Sequence, residues 1–246
     1  MNVMHTGNLT LDDRKLAILV DPDKVDEQRI HQLFSAPGIE EVNYILVGGS
    51  LLFNNLEHTL ELIRKQTKLP LILFPGSAFQ ISSNADAIML LNLISGRNPD
   101  FLIGHHVVAA PMLKKCNLPV LSTGYMLFDC GKPTSVQYMS NTAPLPDHKP
   151  DLAVATALAG EMIGMRQLYL EAGSGAEHPV PDNIIKQVTD AVQIPVIVGG
   201  GVRTAQQART IWNAGANMLV VGNGIERNPG FIADLVKTRN ELSLSS

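Results

Sequence analysis

Eight short apolar runs, separated by stretches of helical periodicity, limit what this 246-residue chain can fold into more than any other feature. They read as strands at Leu16–Val20, Tyr44–Val47, Leu71–Phe74, Ala87–Leu91, Val120–Thr123, Gln167–Glu171, Val196–Val198 and Met218–Val221. Most are apolar at every position, as expected of parallel strands covered on both faces. Between them, Leu52, Leu56, Leu60 and Ile63 recur at helical spacing. Ala205, Ala208, Ile211 and Trp212 form a second helical face, with Thr204 as its predicted N-cap. Trp212 is therefore expected to pack a helix onto the sheet.

Strict alternation of strand and helix implies a parallel sheet. Eight such units in a chain of this length predict closure into a barrel. An open, doubly wound sheet would carry its glycine fingerprint after the first strand, where this chain reads Asp21-Pro22-Asp23-Lys24. The expected architecture is α/β, a single modified (β/α)8 TIM barrel forming one domain over residues 1–246. Ala78–Ala85 leaves room for a helical turn or two, so the outer helix after the third strand is expected to be reduced or missing, opening a groove. After Val120–Thr123, residues 131–150 hold four prolines and little periodicity before a helix at Leu152–Met165. A long loop of that kind is expected to act as a lid or substrate wall.

Two of the strands run into glycines: Val198-Gly199-Gly200-Gly201 and Val221-Gly222-Asn223-Gly224. Glycine lets backbone N–H groups approach a ligand closely, and the loops after the last two strands of a barrel commonly bind phosphate. Gly173-Ser174-Gly175 would add further N–H groups and a hydroxyl. Along the preceding strand, alternation puts Tyr169 and Glu171 on the inner face and Leu168 and Leu170 on the outer one. A carboxylate at that inner position is costly unless it is paired or binds something. Asp21 and Asp23 follow the first strand, where paired carboxylates suit Mg²⁺ shared with substrate phosphates, although Asp and Pro also favour a plain turn. Ser50, in Val47-Gly48-Gly49-Ser50, offers a hydroxyl at the same mouth, or a cap for a helix starting at Leu51.

The net charge of −4 argues against a nucleic-acid partner. No stretch of 18 apolar residues exists, so no membrane span is expected. Met1–Arg14 lacks a signal-peptide core. Cys116 and Cys130 show no metal or redox spacing and are expected to be reduced thiols of a cytoplasmic protein. His105 and His106 are expected in a surface or helix role rather than as metal ligands, and His178 in a solvated loop.

With Asp21-Pro22-Asp23-Lys24, Val47–Ser50, Tyr169-Leu170-Glu171-Ala172-Gly173-Ser174-Gly175-Ala176, Val198–Val202 and Gly222–Ile225 in that order, the chain resembles the geranylgeranylglyceryl phosphate synthase family, with its bacterial heptaprenylglyceryl phosphate synthase relatives. The segment from Thr123-Gly124-Tyr125 to Thr142 is similar to the larger subgroup, which holds many archaeal and some Bacteroidetes members. The resemblance implies a Mg²⁺-dependent prenyltransferase of ether phospholipid biosynthesis that joins sn-glycerol 1-phosphate to a polyprenyl diphosphate, geranylgeranyl being the expected donor. It implies that Asp21 and Ser50 hold Mg²⁺. Tyr169, Leu170, Glu171, Ala172, Gly173, Ser174, Gly175, Gly200, Gly201, Gly222 and Asn223 would bind glycerol 1-phosphate, with Glu171 catalytic. Some members carry a lysine two residues before the first aspartate, where this chain has Leu19. A homo-oligomer, dimer or hexamer, and transient contact with a membrane surface are further expectations. The residues by themselves leave two alternatives open, a phosphosugar isomerase or lyase using the same cup and a non-catalytic phosphate-binding protein.

Overall fold

A computed structural model describes residues 14–244; the expectation for Met1–Arg14 therefore lies outside them, Arg14 apart. Eight parallel strands close on themselves: β1 (Lys15–Val20), β2 (Tyr44–Val47), β3 (Leu71–Leu73), β4 (Ala87–Asn92), β5 (Val120–Asp129), β7 (Gln167–Glu171), β8 (Val196–Gly199) and β9 (Met218–Val221). The order is β4-β3-β2-β1-β9-β8-β7-β5, and pairing of β4 with β5 completes the barrel. The two-residue β6 (Leu145–Pro146) pairs with the far end of β5, beyond the barrel proper.

Period-two alternation sorts the strand residues into two layers. Ala17, Leu46, Ile72, Met89, Tyr125, Tyr169, Ile197, Met218 and Val220 fill the interior. Leu16, Ile18, Ile45, Leu168, Leu170, Val198 and Leu219 face outward and meet the helices. Those helices are α1 (Glu27–Phe34), α2 (Leu56–Gln66), α3 (His105–Cys116), α5 (Pro150–Met162), α6 (Asp182–Ala191), α7 (Ala205–Asn213) and α9 (Phe231–Leu244). Trp212 of α7 is 2% exposed in this outer layer, as expected. Thr204 caps α7 through a full capping box with Gln207.

No helix bridges β3 to β4, where residues 74–86 form turns and bends. The missing outer helix is thus observed. In its place an apolar groove opens against α3, whose start is a single π-helical turn at Asp100–Gly104.

Three expectations need correction. The strand at Val120 does not stop at Thr123 but continues to Asp129, because Gly124–Phe128 stay buried against β7. The segment 131–150 is not structureless: it carries α4 (Ser135–Ser140) and β6. The helix after β2 starts at Leu56, capped by Asn55, so Ser50 is not its cap and Leu52 lies outside it. A last short helix, α8 (Asn223–Arg227), follows β9.

Candidate active site

The C-terminal ends of β7 and β8 meet around one carboxylate, and Asn223 after β9 reaches the loop that follows it. Glu171 ends β7, is 6% exposed, and points inward opposite Leu127 of β5. Its Oε1 accepts the Gly173 N–H at 2.6 Å. The Tyr125 and Tyr169 hydroxyls face the same carboxylate and favour its charged form. Burial pushes the Glu171 carboxyl up to about 7, partly offset by those three groups. Burial, followed by the charge of Glu171, raises both tyrosines well above their ordinary value. Both hydroxyls therefore remain donors at neutral pH.

Tyr125 and Tyr169 are register partners on adjacent strands and stack with centroids 5.5 Å apart. Phe74 lies 5.1 Å from the Tyr169 ring and 6.1 Å from that of Tyr125. This aromatic floor was only half legible. Tyr125 escaped because its strand seemed to end two residues earlier; its inward parity with Thr123 was the available signal.

Glycines bring the backbone onto this carboxylate. A Cβ on Gly200, where φ is +84°, would stand 2.5 Å from Glu171 Oε1 and 2.8 Å from the Gly173 nitrogen. A Cβ on Gly199 would overlap the Tyr169 hydroxyl, and one on Gly173 would overlap the Thr134 side chain. Thr134, just before α4, has its Oγ1 buried without a protein partner over this loop. Gly173 does not offer its N–H to a ligand, since Glu171 holds it. Leu170 and Ala172 turn their side chains into the outer layer, so they face the mouth through backbone alone. Ser174 is exposed and its Oγ accepts from Asn223 Nδ2 at 3.1 Å. Arg203, which sequence reasoning passed over, clamps the loop by donating to the Glu177 carbonyl at 2.6 Å and the Ala176 carbonyl at 2.5 Å.

Across the mouth, Asp21 caps a short turn and receives the Asp23 N–H at 3.1 Å. Its other oxygen pairs with Lys24 Nζ at 3.1 Å. Asp23 is not a second free carboxylate: it accepts the Phe53 N–H at 3.0 Å and the Asn54 N–H at 2.7 Å, which fixes the loop after β2. Gln80 holds the same loop by donating to the Gly49 carbonyl at 2.9 Å. Asp21 Oδ1 lies close against Gly49, beside Ser50. Among the described residues no group of three His, Cys, Asp or Glu could hold a metal. One carboxylate and one hydroxyl, both hard oxygen donors, fit a Mg²⁺ that keeps several waters and shares substrate phosphates.

The apolar groove begins at Gly49 and Ser50 and runs past Phe74, Ile88, Leu90, Phe101 and Ala109. Val136 and Met139 of α4 also line it. It encloses about 830 Å³, including solvent space on its open side. The two adjacent histidines lie on α3, in the helix role open to them in the sequence, and both line this groove. His106 sets its ring nitrogens 3.1 Å from the Leu102 carbonyl and 3.0 Å from that of Leu91. His178 is half-buried, 3.6 Å from Asp147. Cys130 is a buried thiol that burial pushes up to about 12, and so it stays protonated.

Comparison with known proteins decides the family: residues 10–239 match the model of the PcrB family. The chain belongs to the PcrB family. It is 48% identical over 233 residues to the geranylgeranylglyceryl phosphate synthase of Spirosoma linguale, covering 94% of each chain. It is 38% identical to the protein of that name from Pyrococcus furiosus, covering 92% of this chain and 89% of the relative. A crystal structure of (S)-3-O-geranylgeranylglyceryl phosphate synthase from Thermoplasma acidophilum, in complex with sn-glycerol-1-phosphate, superposes with a TM-score of 0.87 at 30% identity, over 94% of both chains. The likeness to 3-hexulose-6-phosphate synthase from Salmonella typhimurium, at 13% identity and a TM-score of 0.62, reflects the barrel fold alone.

The buried carboxyl of this PcrB-family chain has a consequence for stability. Below its ordinary value of about 4.5, folded and unfolded chains both hold the Glu171 proton. Between there and about 7, only the unfolded chain loses it, so stability present at low pH is lost as pH rises. The loss amounts to about 3 kcal/mol. Urea unfolding should therefore find Glu171→Gln more stable than wild type at about pH 8, with the gap closing toward about pH 4.5. A gap that stays constant across this range would contradict the raised carboxyl.

Proposed function

We infer that this chain joins sn-glycerol 1-phosphate to a polyprenyl diphosphate, making the ether bond of a prenylglyceryl phosphate and releasing diphosphate. The observation that carries this reading is Tyr125. It lines the apolar groove, while its hydroxyl faces the carboxylate at the base of the glycine cup. A polar phosphate site and a long apolar site thus share one wall. An isomerase or lyase acting on a phosphosugar has no use for the second. The names of the relatives and the glycerol phosphate held by the Thermoplasma acidophilum neighbour support the acceptor.

In this reading the glycine loops and Ser174 hold the phosphate of the acceptor. Glu171 accepts a hydrogen bond from the glycerol, orients its primary hydroxyl toward C1 of the donor, and takes the proton as the carbon–oxygen bond forms. The bond from C1 to the diphosphate oxygen breaks in the same event, and diphosphate leaves with its electron pair. Asp21 and Ser50 would hold Mg²⁺, which when bound neutralises charge on the departing diphosphate. Phe74, Tyr125 and the groove residues exclude water from C1, so that the glycerol oxygen is the nucleophile present.

The test is product formation from radiolabelled sn-glycerol 1-phosphate with a series of prenyl diphosphates, in Mg²⁺ and in EDTA. An organic-extractable product that requires Mg²⁺ is expected, and the best donor reports the length of the groove. Glycerol phosphate bound without product from any donor would reject the transferase reading.

A further inference from the structure

We propose that Lys24 is the cationic contact of the phosphate cup, held in place by Asn223 and Glu226 and passed from Asp21 to a phosphate oxygen when the site fills. The inference rests on the glycerol phosphate reading above. Lys24 is half-exposed, and its Nζ reaches three oxygens, Asp21 Oδ2 at 3.1 Å, Asn223 Oδ1 at 3.2 Å and Glu226 Oε2 at 3.7 Å. Its backbone is fixed on both sides. The Lys24 N–H donates to the Asp21 carbonyl at 3.0 Å, and the Lys24 carbonyl accepts from Arg29 at 2.7 Å. The side chain therefore leaves from a set point at the end of β1 and crosses to the end of β9.

Asn223 makes the crossing meaningful. Its Oδ1 takes the Lys24 ammonium, while its Nδ2 donates to Ser174 on the phosphate loop. One chain of contacts, Asp21–Lys24–Asn223–Ser174, joins the aspartate of the first motif to the cup. Arg203, the other cation at this loop, already donates to two carbonyls through its guanidinium. Leu19 packs beside Gly222 and brings no charge. An ammonium next to a phosphate is a charge-assisted hydrogen bond, about twice the strength of a neutral one.

The pairing with Asp21 sets the order of events. A divalent cation on Asp21 and the Lys24 ammonium compete for one carboxylate and repel each other. With Asp21 given over to Mg²⁺, the ammonium would keep Asn223 and Glu226 and reach for the nearest anion. The position beside Asn223 and Ser174 assigns that anion to the phosphate of the acceptor rather than to the diphosphate of the donor.

The experiment is calorimetric titration of sn-glycerol 1-phosphate, and separately of inorganic diphosphate, into wild type, Lys24→Met and Lys24→Arg at saturating Mg²⁺. Mn²⁺ binding without substrate is followed in parallel by electron paramagnetic resonance. Lys24→Met should weaken glycerol phosphate about 10- to 100-fold, with Lys24→Arg within a few fold of wild type and diphosphate unchanged. The same Lys24→Met change should tighten Mn²⁺, because it removes the competitor from Asp21; a merely structural defect would not move two ligands in opposite directions. Equal glycerol phosphate affinity in wild type and Lys24→Met overturns the assignment of Lys24 alone. A loss confined to diphosphate overturns the acceptor assignment, and weakened Mn²⁺ binding overturns the competition. Failure of wild type to bind glycerol phosphate at all overturns the functional reading itself, and Lys24 with it.

Discussion

Glu171→Gln should lower kcat by about two to four orders of magnitude while the barrel stays folded. The carboxylate accepts the Gly173 N–H and faces the Tyr125 and Tyr169 hydroxyls. A carboxamide keeps one accepting oxygen and replaces the other with an NH₂ that cannot accept. It fills the same space, so the outer core of Leu168 and Leu170 is untouched and the circular dichroism spectrum should match wild type. What disappears is the group that takes the hydroxyl proton. Because burial holds this carboxyl at about 7, kcat/KM of wild type should rise with pH through that region, where the free enzyme changes from carboxyl to carboxylate. In Glu171→Gln the residual rate should lose that inflection. Wild-type turnover in the variant, or an inflection that survives the substitution, would remove Glu171 from proton transfer.

The barrel was legible because its strands are buried on both faces and so appear as unbroken apolar runs. The inward direction of Tyr169 and Glu171 followed from period two alone, and the absent helix after β3 from the few residues available for one. What was not legible came from tertiary contact. Nothing local in Gly124–Asp129 distinguishes a strand from the start of a loop; pairing with β7 and then β6 decides it, and with it the inward Tyr125. Likewise, Asp21 and Asp23 are equivalent in sequence, and only the approach of the Phe53 and Asn54 amides assigns one of them to the scaffold. The direction of Lys24 depended on where β9 ends, some 199 residues later. Ser50 illustrates a local rule overruled: Ser before Leu51 satisfies the cap pattern, yet the chain between β2 and α2 is tied down by Asp23 and Gln80, and the helix waits for Asn55.

Gly200→Ala should abolish glycerol phosphate binding at attainable concentrations and cut kcat/KM at least about 100-fold, the scale of a displaced catalytic geometry. Two costs add. With φ at +84°, the backbone occupies a region that costs an L-residue about 1–2 kcal/mol. The new methyl would also sit 2.5 Å from Glu171 Oε1 and 2.8 Å from the Gly173 nitrogen. One of these must move, and they are bonded to each other at 2.6 Å. Neither can retreat, because Glu171 is buried with two tyrosines beneath it and Gly173 lies against Thr134. The loop carrying Ser174 therefore shifts as a unit. Gly164→Ala, in the turn between α5 and β7, separates the two costs: its φ of +95° carries the same handedness penalty, but a Cβ there meets nothing within 4 Å. Thermal denaturation should lower Tm in both variants, by roughly 2–4 °C per kcal/mol lost. Binding, measured by calorimetry with sn-glycerol 1-phosphate, should fail in Gly200→Ala and persist in Gly164→Ala. Equal binding in the two would mean that the Gly200 backbone does not define the cup, and that the close approach of β8 to Glu171 is a matter of packing alone.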